Sequence, residues 1–253
     1  MSPKPNAAPK NRYLPFVIIG AVLVAAILAV LWLTRSGGES PAANTQNANA
    51  GSRASSNAAN ATNLPAGPRR GEQPGAPNPH FRGGASARVT LEEFGDFQCP
   101  PCGRLHASPK KIEHEYGDRL KVVFRNYPLQ SMHKNAFSAA RAAEAAGLQG
   151  KFFQMHDLLY EHQTEWAESP EPRAIYTDYA NRIGLNVEKF IADMARQDVA
   201  DRIQADFSRG TSLGVRGTPT VFLNGRELDA NDTLDDKRLR AQIDAAFAAV
   251  GGK

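Results

Sequence analysis

The longest uninterrupted hydrophobic segment of the chain covers residues 14–33 and contains no charged residue. A helix of this length spans roughly 30 Å at about 1.5 Å per residue, which matches the hydrocarbon core of a bilayer. Tyr13 and Trp32 lie near its two ends, where aromatic side chains favour the membrane interface. The pattern therefore predicts a single transmembrane helix over residues 14–33.

The charges around this segment predict its orientation. Lys4, Lys10 and Arg12 precede it. Only Arg35 follows it closely. Because positive charges stay on the cytoplasmic side of a membrane, we expect residues 1–13 in the cytoplasm and the rest of the chain on the extracytoplasmic, periplasmic side. A cleaved signal peptide usually has a shorter apolar core of about 7–15 residues. A retained anchor is therefore favoured, although cleavage stays open.

Residues 34–84 have a different composition. Small and polar residues dominate this segment, and large apolar residues are almost absent. Such a chain cannot bury enough surface to offset its conformational entropy. We therefore expect a disordered linker over residues 34–84, which tethers a folded domain of residues 85–253 to the membrane.

Apolar and polar residues alternate directly after this linker. Val89, Leu91 and Glu93 fall on one side of a predicted strand that begins near Arg88. Further elements are predicted as a helix over 100–116 kinked at Pro109, a strand over 120–125, helices over 134–146, 151–166, 173–183, 186–195 and 199–213, a hairpin of strands 218–223 and 226–228 around Asn224-Gly225, and a helix over 234–250. This order predicts an α/β domain in which several helices separate the second strand from the hairpin.

The composition limits the classes of partner. Apolar residues make up 42% of the chain, which is enough for one packed domain but not for the whole length. Lys and Arg exceed Asp and Glu by 30 to 26. The basic residues are scattered among acidic ones, so we expect a solvated surface and no nucleic-acid binding. No segment is typical of a dimerisation helix, and a monomer is expected.

Cys99 and Cys102 are the only cysteines, and Pro100 and Pro101 separate them. Two cysteines are too few for the disulfide framework of a small secreted domain. Two thiols at this spacing can instead close and open a small disulfide ring as they exchange electrons. The pair is therefore predicted to be the reactive part of the protein.

The start of the predicted helix makes the two thiols unequal. Free N–H groups and the helix dipole favour an anion there, so we expect Cys99 to ionise below the pKa of about 8.5 of a free thiol. Cys102 lies one turn inside the helix and should be shielded. Cys99 is then the solvent-facing, attacking sulfur, and Cys102 resolves the mixed disulfide. Pro100 and Pro101 are expected to tune the pair, since Pro101 removes one backbone donor.

Metal binding, haem attachment and a passive disulfide are other uses of two cysteines. A zinc site needs about four ligands, and His106 and His114 would complete one only if the helix bent. Covalent haem requires a histidine directly after the second cysteine, where this chain has Gly103. A structural disulfide would close so short a loop that it adds little stability. Two alternative functions stay open: a peptide-binding or chaperone module with a structural disulfide, and a metal-delivery protein.

Two separated stretches resemble the DsbA-like branch of the thioredoxin superfamily. The first is EEFGDFQCPPC at residues 92–102, and the second is GTPTVF at residues 217–222. The similarity covers about residues 88–250, and the helical insertion of that family matches the helices at about 134–213. The resemblance implies a thioredoxin fold and disulfide exchange with extracytoplasmic proteins, with no dissociable cofactor.

The resemblance also implies roles for residues outside the cysteine pair. The Thr218-Pro219 bond would be cis and lie beside the sulfurs, where the Thr218 backbone would pair with an extended substrate. Glu93 occupies the position of a buried acid that exchanges a proton with Cys102. Glu92 is the rival carboxylate.

This chain departs from the best-known oxidases of the family at two positions. It has Pro101 where they carry a histidine and Thr218 where they carry a valine. Both positions tune thiolate stability and substrate release, so the direction of exchange stays open among oxidase, reductase and isomerase. No partner for His133, His156 or His162 is evident in the sequence, and surface or capping roles are expected for them.

The combined features predict a membrane-anchored thiol-disulfide oxidoreductase. Its expected substrates are proteins with thiols or disulfides outside the cytoplasmic membrane. The anchor would keep the domain near a membrane partner that resets its redox state.

Overall fold

The computed structural model of the chain describes residues 71–251. The predicted anchor over 14–33 and the linker up to residue 70 lie outside the described residues and stay predictions. Among the helices of residues 71–251, none is long and apolar enough to cross a membrane.

The described residues contain a five-stranded sheet. Its strands are β1 (Phe81–Gly83), β2 (Val89–Gly95), β3 (Leu120–Asn126), β4 (Thr220–Leu223) and β5 (Arg226–Glu227). The strand order is β1-β3-β2-β4-β5. β2 and β3 are parallel, and the other neighbouring strands are antiparallel. The first two strands predicted along the chain, β2 and β3, are thus neighbours in this sheet.

Helices surround the connections between these strands. Within residues 71–251 they are α1 (Pro100–Leu105), α2 (Ala107–Tyr116), α3 (Ala136–Gly147), α4 (Phe152–Glu161), α5 (Gln163–Trp166), α6 (Pro172–Arg182), α7 (Val187–Met194), α8 (Gln197–Ser212), α9 (Ala230–Thr233) and α10 (Asp236–Gly251). Helices α3 to α8 lie between β3 and β4 in the chain. The predicted α/β architecture with a helical insertion is confirmed.

The central strand β2 has two different faces. Val89, Leu91 and Glu93 are buried on one face, because alternate residues of a strand point the same way. Glu92 and Phe94 belong to the other face. The last residues of the strand, Glu93, Phe94 and Gly95, are buried on both faces, so the strand delivers the next residues into the core.

The final part of the predicted linker is ordered, which corrects the boundary at residue 84. β1 pairs antiparallel with β3 at the edge of the sheet. The guanidinium of Arg82 donates to Asp157 on α4. The backbone N–H of Ala76 donates to Asp206 on α8 at 2.9 Å. These partners are distant in sequence, so the small and polar composition of the segment does not reveal them.

Two predicted helices are each divided in two. The helix predicted over 100–116 breaks at His106 and not at Pro109. Pro109 has no N–H to donate to the carbonyl of Leu105, so the hydrogen-bond ladder is interrupted upstream of the proline. The helix predicted over 151–166 breaks at His162, whose φ of −114° and ψ of 25° leave the helical region. Gln163 begins α5 directly after this break.

Two local predictions are confirmed in detail. Asn186 caps α7, since its side-chain oxygen accepts a hydrogen bond from the Lys189 N–H at 2.8 Å. Asn224 and Gly225 form the turn between β4 and β5 with φ values of +50° and +79°. Both residue types tolerate this left-handed region, as hairpin turns require.

The hydrophobic core approaches the cysteine pair from the helical insertion. Phe97, Cys102 and Phe124 belong to the same buried cluster as the fully buried Trp166 and Tyr176. A second cluster joins β2, α1, α2 and α10, and includes Leu91, Leu105, Ile112, Leu239 and Ile243. Residues 97–102, which we call the reactive segment, therefore lie between these two hydrophobic clusters.

Candidate active site

The two cysteines lie where β2 ends and α1 begins. Cys99 is the N-cap of α1, with extended backbone angles of φ −71° and ψ 120°. Cys102 is fully buried, whereas Cys99 is 5% exposed. Cys99 is thus the more accessible thiol. The sequence predicts a solvent-facing Cys99, and this detail is wrong, because the residue lies just beneath the surface.

The loop before β4 supplies the residue that packs on Cys99. The peptide bond between Thr218 and Pro219 is cis, as the family resemblance implies. The Cys99 thiol donates a hydrogen bond to the Thr218 carbonyl oxygen, with 3.2 Å between sulfur and oxygen. The Thr218 hydroxyl is buried and has no hydrogen-bond partner among the described residues. A Cys99 thiolate would offer this hydroxyl an acceptor.

The Cys99 thiol is acidic, with its pKa lowered to about 6. The largest cause is the hydrogen bond from the Cys102 thiol, which favours the anion. The Thr218 side chain and the Cys102 backbone N–H lower the pKa further, while burial and the charge of Asp96 raise it. The direction is the one predicted from the sequence. Its main source is the partner thiol and not the helix end.

Cys102 has the opposite character. Burial raises the pKa of the Cys102 thiol well above its ordinary value, and the charges of Cys99 and Glu93 act in the same direction. Cys102 therefore stays protonated at neutral pH. A base must take its proton before it attacks a mixed disulfide.

The two neighbouring glutamates differ in position and partners. Glu93 is 5% exposed, and no hydrogen bond or ion pair of its carboxylate occurs within residues 71–251. Burial raises the pKa of Glu93 to about 7, and the charge of Arg82 opposes this. Glu92 belongs to the other face and binds Arg125 and Arg209. The geometry thus places Glu93, and not Glu92, as the acid near Cys102; its proton-transfer role stays a prediction.

Two glutamines that sequence reasoning missed hold the segment before the cysteines. The side-chain amide of Gln163 donates to the carbonyls of Phe97 at 2.6 Å and Cys99 at 3.0 Å. The Gln98 side chain accepts from the Asn135 N–H at 2.7 Å. The role of Gln98 could have been predicted from the sequence, since a polar residue beside Phe97 in a segment that enters the core requires hydrogen-bond partners.

The three histidines for which the sequence shows no evident partner each have a carboxylate partner in the structure. The pairs are His133 Nδ1 with Asp96 Oδ2 at 2.8 Å, His156 Nδ1 with Asp157 Oδ1 at 3.0 Å, and His162 Nδ1 with Glu165 Oε1 at 2.7 Å. His156 is also buried among aromatic rings, so a surface role does not apply to it. His133 and Asp96 are far apart along the chain, and the helix break fixes the pair at His162, so a sequence pattern shows neither of these two pairs; Asp157 directly follows His156.

One cluster of metal-ligating side chains occurs in the described part of the chain. His106, His156 and Asp157 place ligand atoms within 4.8 Å of one another. Asp157 is already paired with Arg82 and lies 3.4 Å from Lys110. The cluster contains neither cysteine, so it is not the cysteine and histidine set that the metal-delivery alternative requires.

Solved structures share this architecture. A thioredoxin-like oxidoreductase from Silicibacter pomeroyi has a TM-score of 0.57 and 26% identity, over 68% of this chain and 94% of that one. BdbD from Bacillus subtilis, in its oxidised form, has a TM-score of 0.60 and 22% identity, over 70% and 98% of the two chains. The thiol-disulfide exchange protein α-DsbA2 from Wolbachia pipientis has a TM-score of 0.58 and 21% identity, over 66% and 86%. The last two likenesses show the fold alone.

Curated relatives carry the name of a different activity. A Na⁺/H⁺ antiporter, NhaA 1, from Salinispora arenicola is 37% identical over 171 residues, which are 68% of this chain and 25% of the antiporter. The NhaA 1 antiporter from Mycolicibacterium gilvum is 38% identical over 151 residues, 58% of this chain and 23% of the antiporter. The chain thus spans about a quarter of the length of these relatives.

A family model assigns the described domain. The model described as Thioredoxin matches residues 76–245, which include the cysteine pair, the cis-proline loop and all the helices between them. The match begins before the boundary predicted from the sequence and includes β1. With its central sheet, its dithiol at the start of α1 and this match over more than half its length, the chain belongs to the thioredoxin family.

Proposed function

We propose that the chain is a thiol-disulfide oxidoreductase that acts on protein substrates outside the cytoplasmic membrane. The observation that carries the proposal is the opposite character of the two thiols. Cys99 is acidic and lies beside the cis-proline loop, whereas Cys102 is buried and protonated. The 26% identity with a thioredoxin-like oxidoreductase supports the same reaction class.

The geometry supports a two-step exchange. In the first step the Cys99 thiolate attacks one sulfur of a substrate disulfide, a mixed disulfide forms, and the other substrate sulfur leaves as a thiolate. In the second step Cys102 loses its proton to the Glu93 carboxylate and attacks the Cys99 sulfur. The second substrate thiolate is released. The substrate disulfide is thereby reduced by two electrons and the cysteine pair is oxidised; the reverse sequence oxidises a substrate dithiol.

The acidity of Cys99 favours oxidation of substrates. At pH 7 a thiol with a pKa of about 6 is mostly ionised, which stabilises the reduced pair by about 1.4 kcal/mol relative to an ordinary thiol. For two electrons this corresponds to about 30 mV towards a more oxidising potential. The effect is modest, so we propose a moderately oxidising pair that passes its disulfide to substrate thiols.

The loop beside Cys99 is the proposed substrate contact. The Thr218 carbonyl lies 3.2 Å from the Cys99 sulfur, so a substrate that reaches this sulfur also reaches the backbone of the loop. Main-chain hydrogen bonds to an extended segment give affinity without requiring particular side chains. This arrangement supports broad selectivity for proteins with thiols or disulfides.

Location at the membrane is part of the proposal. The uncharged segment over 14–33 supports a single-pass anchor with the catalytic domain on the periplasmic side. The linker after it supports reach to a membrane partner that reoxidises the pair. Relatives named as antiporters are membrane proteins by that name, which is compatible with a thioredoxin-like domain held at a membrane.

The test compares three forms of the full chain in detergent with a reduced, unfolded model protein as substrate. The native chain with Cys99 and Cys102 joined as a disulfide should transfer this disulfide to the reduced protein and become reduced itself, and Cys99→Ser should abolish this activity. Reduced Cys102→Ser, incubated instead with the disulfide form of the same model protein, should accumulate a mixed disulfide through Cys99, which mass spectrometry detects. Undiminished activity in Cys99→Ser would refute the proposal. Peptide binding that survives in both variants without any exchange in the native chain would favour the chaperone alternative.

A further inference from the structure

Asp96 is a buried carboxylate directly before the reactive segment. Its side chain is 0% exposed. One oxygen, Oδ1, accepts from the Gln98 N–H at 2.8 Å. The other, Oδ2, accepts from the Leu129 N–H at 2.8 Å and lies 2.8 Å from His133 Nδ1. The Asp96 carbonyl accepts from the Cys99 N–H at 3.1 Å, which couples the two residues through the backbone.

The negative charge of the Asp96 carboxylate opposes ionisation of the Cys99 thiol. Like charges disfavour each other in a buried site, and the Asp96 charge raises the pKa of Cys99. The two N–H donors reduce this repulsion but carry no net charge. Within residues 71–251, His133 is the one side chain that forms a hydrogen bond or ion pair with Asp96. Its imidazole is therefore the one ring among the described residues that can place positive charge against this carboxylate.

His133 connects this buried acid to the surface. The residue lies in the segment between β3 and α3, and its side chain is 16% exposed. The neighbouring Met132 is 71% exposed. Protons from solvent thus reach the imidazole, while its Nδ1 atom stays in contact with the buried Asp96 oxygen.

We propose that His133 is a positioning residue that acts through Asp96 to govern how readily Cys99 ionises. A protonated imidazole offsets the carboxylate charge, so the Cys99 thiolate forms more easily than it would beside an unpaired aspartate. The importance of this pair for catalysis rests on the proposed function. Its electrostatic effect on the sulfur does not.

Other ionisable groups around the sulfurs do not replace this pair. Cys102 stays protonated, and burial raises the pKa of Tyr160 on α4 well above its ordinary value, so neither adds charge near neutral pH. Glu93 acts on Cys102 and Tyr160. Among the causes that set the pKa of Cys99, Asp96 is the one acid, and its effect is smaller than those of Cys102, burial and Thr218. Neutralising the Asp96 charge should accordingly lower the pKa of Cys99.

The loop has further attachments that do not require the histidine. The Gln98 side chain accepts from the Asn135 N–H at 2.7 Å, and Leu129 N–H still has Asp96 as its acceptor. Replacement of His133 should therefore leave the loop in place. His133→Asn is the suitable variant, because its amide nitrogen matches the Nδ1 donor but carries no charge.

The experiment titrates Cys99 in the reduced full chain by the ultraviolet absorbance of its thiolate between about pH 4 and 8, where Cys102 stays protonated. The native midpoint is expected at about 6. His133→Asn should raise it by roughly half a pH unit, which is about threefold less thiolate near the midpoint. The matched control is His162→Asn, which breaks a histidine-carboxylate pair of similar length on α5 and should leave the midpoint unchanged.

A double-mutant cycle tests whether His133 acts through Asp96. Asp96→Asn should lower the midpoint, and His133→Asn should then have no further effect. An unchanged midpoint in a His133→Asn protein with native circular dichroism overturns the inference, and so does an equal effect of His133→Asn in both backgrounds. If Asp96→Asn does not fold, the comparison of His133→Asn with His162→Asn decides alone.

Failure of the proposed function would be recognised separately. The titration requires no substrate, so a midpoint that shifts in His133→Asn supports the inference even if the native chain exchanges no disulfides. Active exchange together with an unshifted midpoint would overturn the inference and leave the proposed function intact.

Discussion

The two faces of β2 shift the pKa values of two adjacent glutamates in opposite directions. On one face, burial raises the pKa of Glu92, but hydrogen bonds and charges from Arg209 and Arg125 more than reverse this, so its pKa lies below the ordinary value. On the other face, burial raises the pKa of Glu93 to about 7, and only the charge of Arg82 opposes the rise. One peptide unit thus separates an ion-paired carboxylate from an unpaired one.

The ion-paired face holds the chain together. Arg125 binds Glu92 at 2.9 Å and Asp206 at 2.8 Å, and it donates to the carbonyl of Ala76 at 3.0 Å. Arg209 binds Glu92 from α8 at 2.9 Å. These contacts join β2, β3, α8 and the segment before β1. Because every charge has a partner, the face is suited to stability and not to proton transfer.

The unpaired face lies beneath the sulfurs. Within the part of the chain that the structure describes, no hydrogen bond or ion pair holds the Glu93 carboxylate, and its charge acts on Cys102. A carboxyl group whose pKa is near 7 can both accept and return a proton at physiological pH. The comparison shows that burial alone does not give a carboxylate a function. Within residues 71–251 no cation forms an ion pair with Glu93, and the charge of Arg82 only partly offsets the effect of burial on its pKa, which is the condition that proton transfer near pH 7 requires.

The largest expected effect comes from breaking the ion-paired face. Arg125→Met leaves Asp206 without its guanidinium and Glu92 with Arg209 alone. Removal of one member of a buried ionic network costs about 3 kcal/mol or more, because uncompensated charge remains buried. The free energy of unfolding, measured by urea titration of the full chain in detergent, should fall by this amount.

The exposed Arg226→Met on β5 serves as the control and should change stability by less than about 0.5 kcal/mol. The titration midpoint of Cys99 should stay the same in Arg125→Met, since the two faces are separate. A stability loss no larger than that of the control would show that the network contributes little.

Local sequence patterns were sufficient for the centre of the sheet. Val89 and Leu91 alternate with the polar Thr90 and Glu92, and this alternation predicts β2 and its buried face. The reactive pair and the Thr218-Pro219 loop came from residue types and family resemblance. These features depend on residues that are adjacent in the chain or carry distinctive chemistry.

Contacts between distant segments were not accessible in this way. The pairing of β1 with β3 depends on backbone hydrogen bonds to the edge of a strand. The mixed composition of the segment that contains β1 does not predict these bonds. His133 and Asp96 are 37 positions apart, and neither residue type is unusual in its place. Such pairs follow from how the helical insertion packs back on the sheet, and a single sequence contains no signal for that.

A second test concerns the unpaired face. The pKa of Glu93 is raised from an unfolded value of about 4.5 to about 7. The protonated Glu93 side chain therefore contributes fully to the free energy of unfolding below about pH 4.5. This contribution is lost as pH rises through 7, because the folded state disfavours the ionised carboxylate. Glu93→Gln removes this loss. Above pH 7 the disulfide form of the variant should be more stable than the native protein, by up to about 3 kcal/mol.

The matched control is Glu227→Gln, an exposed glutamate of the same sheet, which should follow the native pH profile. The use of the disulfide form removes thiol titration from the measurement. If Glu93→Gln gained no stability between about pH 5 and 8, the carboxylate would be ionised in the folded state and unsuited to accept the Cys102 proton. A stabilised variant that resolves mixed disulfides more slowly would connect the unpaired charge to function.

The smallest expected effect concerns the single hydroxyl at the sulfurs. Thr218→Val keeps the shape and the carbonyl contact to Cys99 but removes the donor that lowers the pKa of its thiol. One hydrogen bond to an anion contributes about 1 kcal/mol, so the midpoint of the Cys99 titration should rise by roughly 0.5 to 1 pH unit. Thr218→Ser should retain the native midpoint because it keeps the hydroxyl. If valine and serine gave the same midpoint, the partner thiol and the backbone would account for the acidity of Cys99, and the sulfur site would need no side chain from the loop.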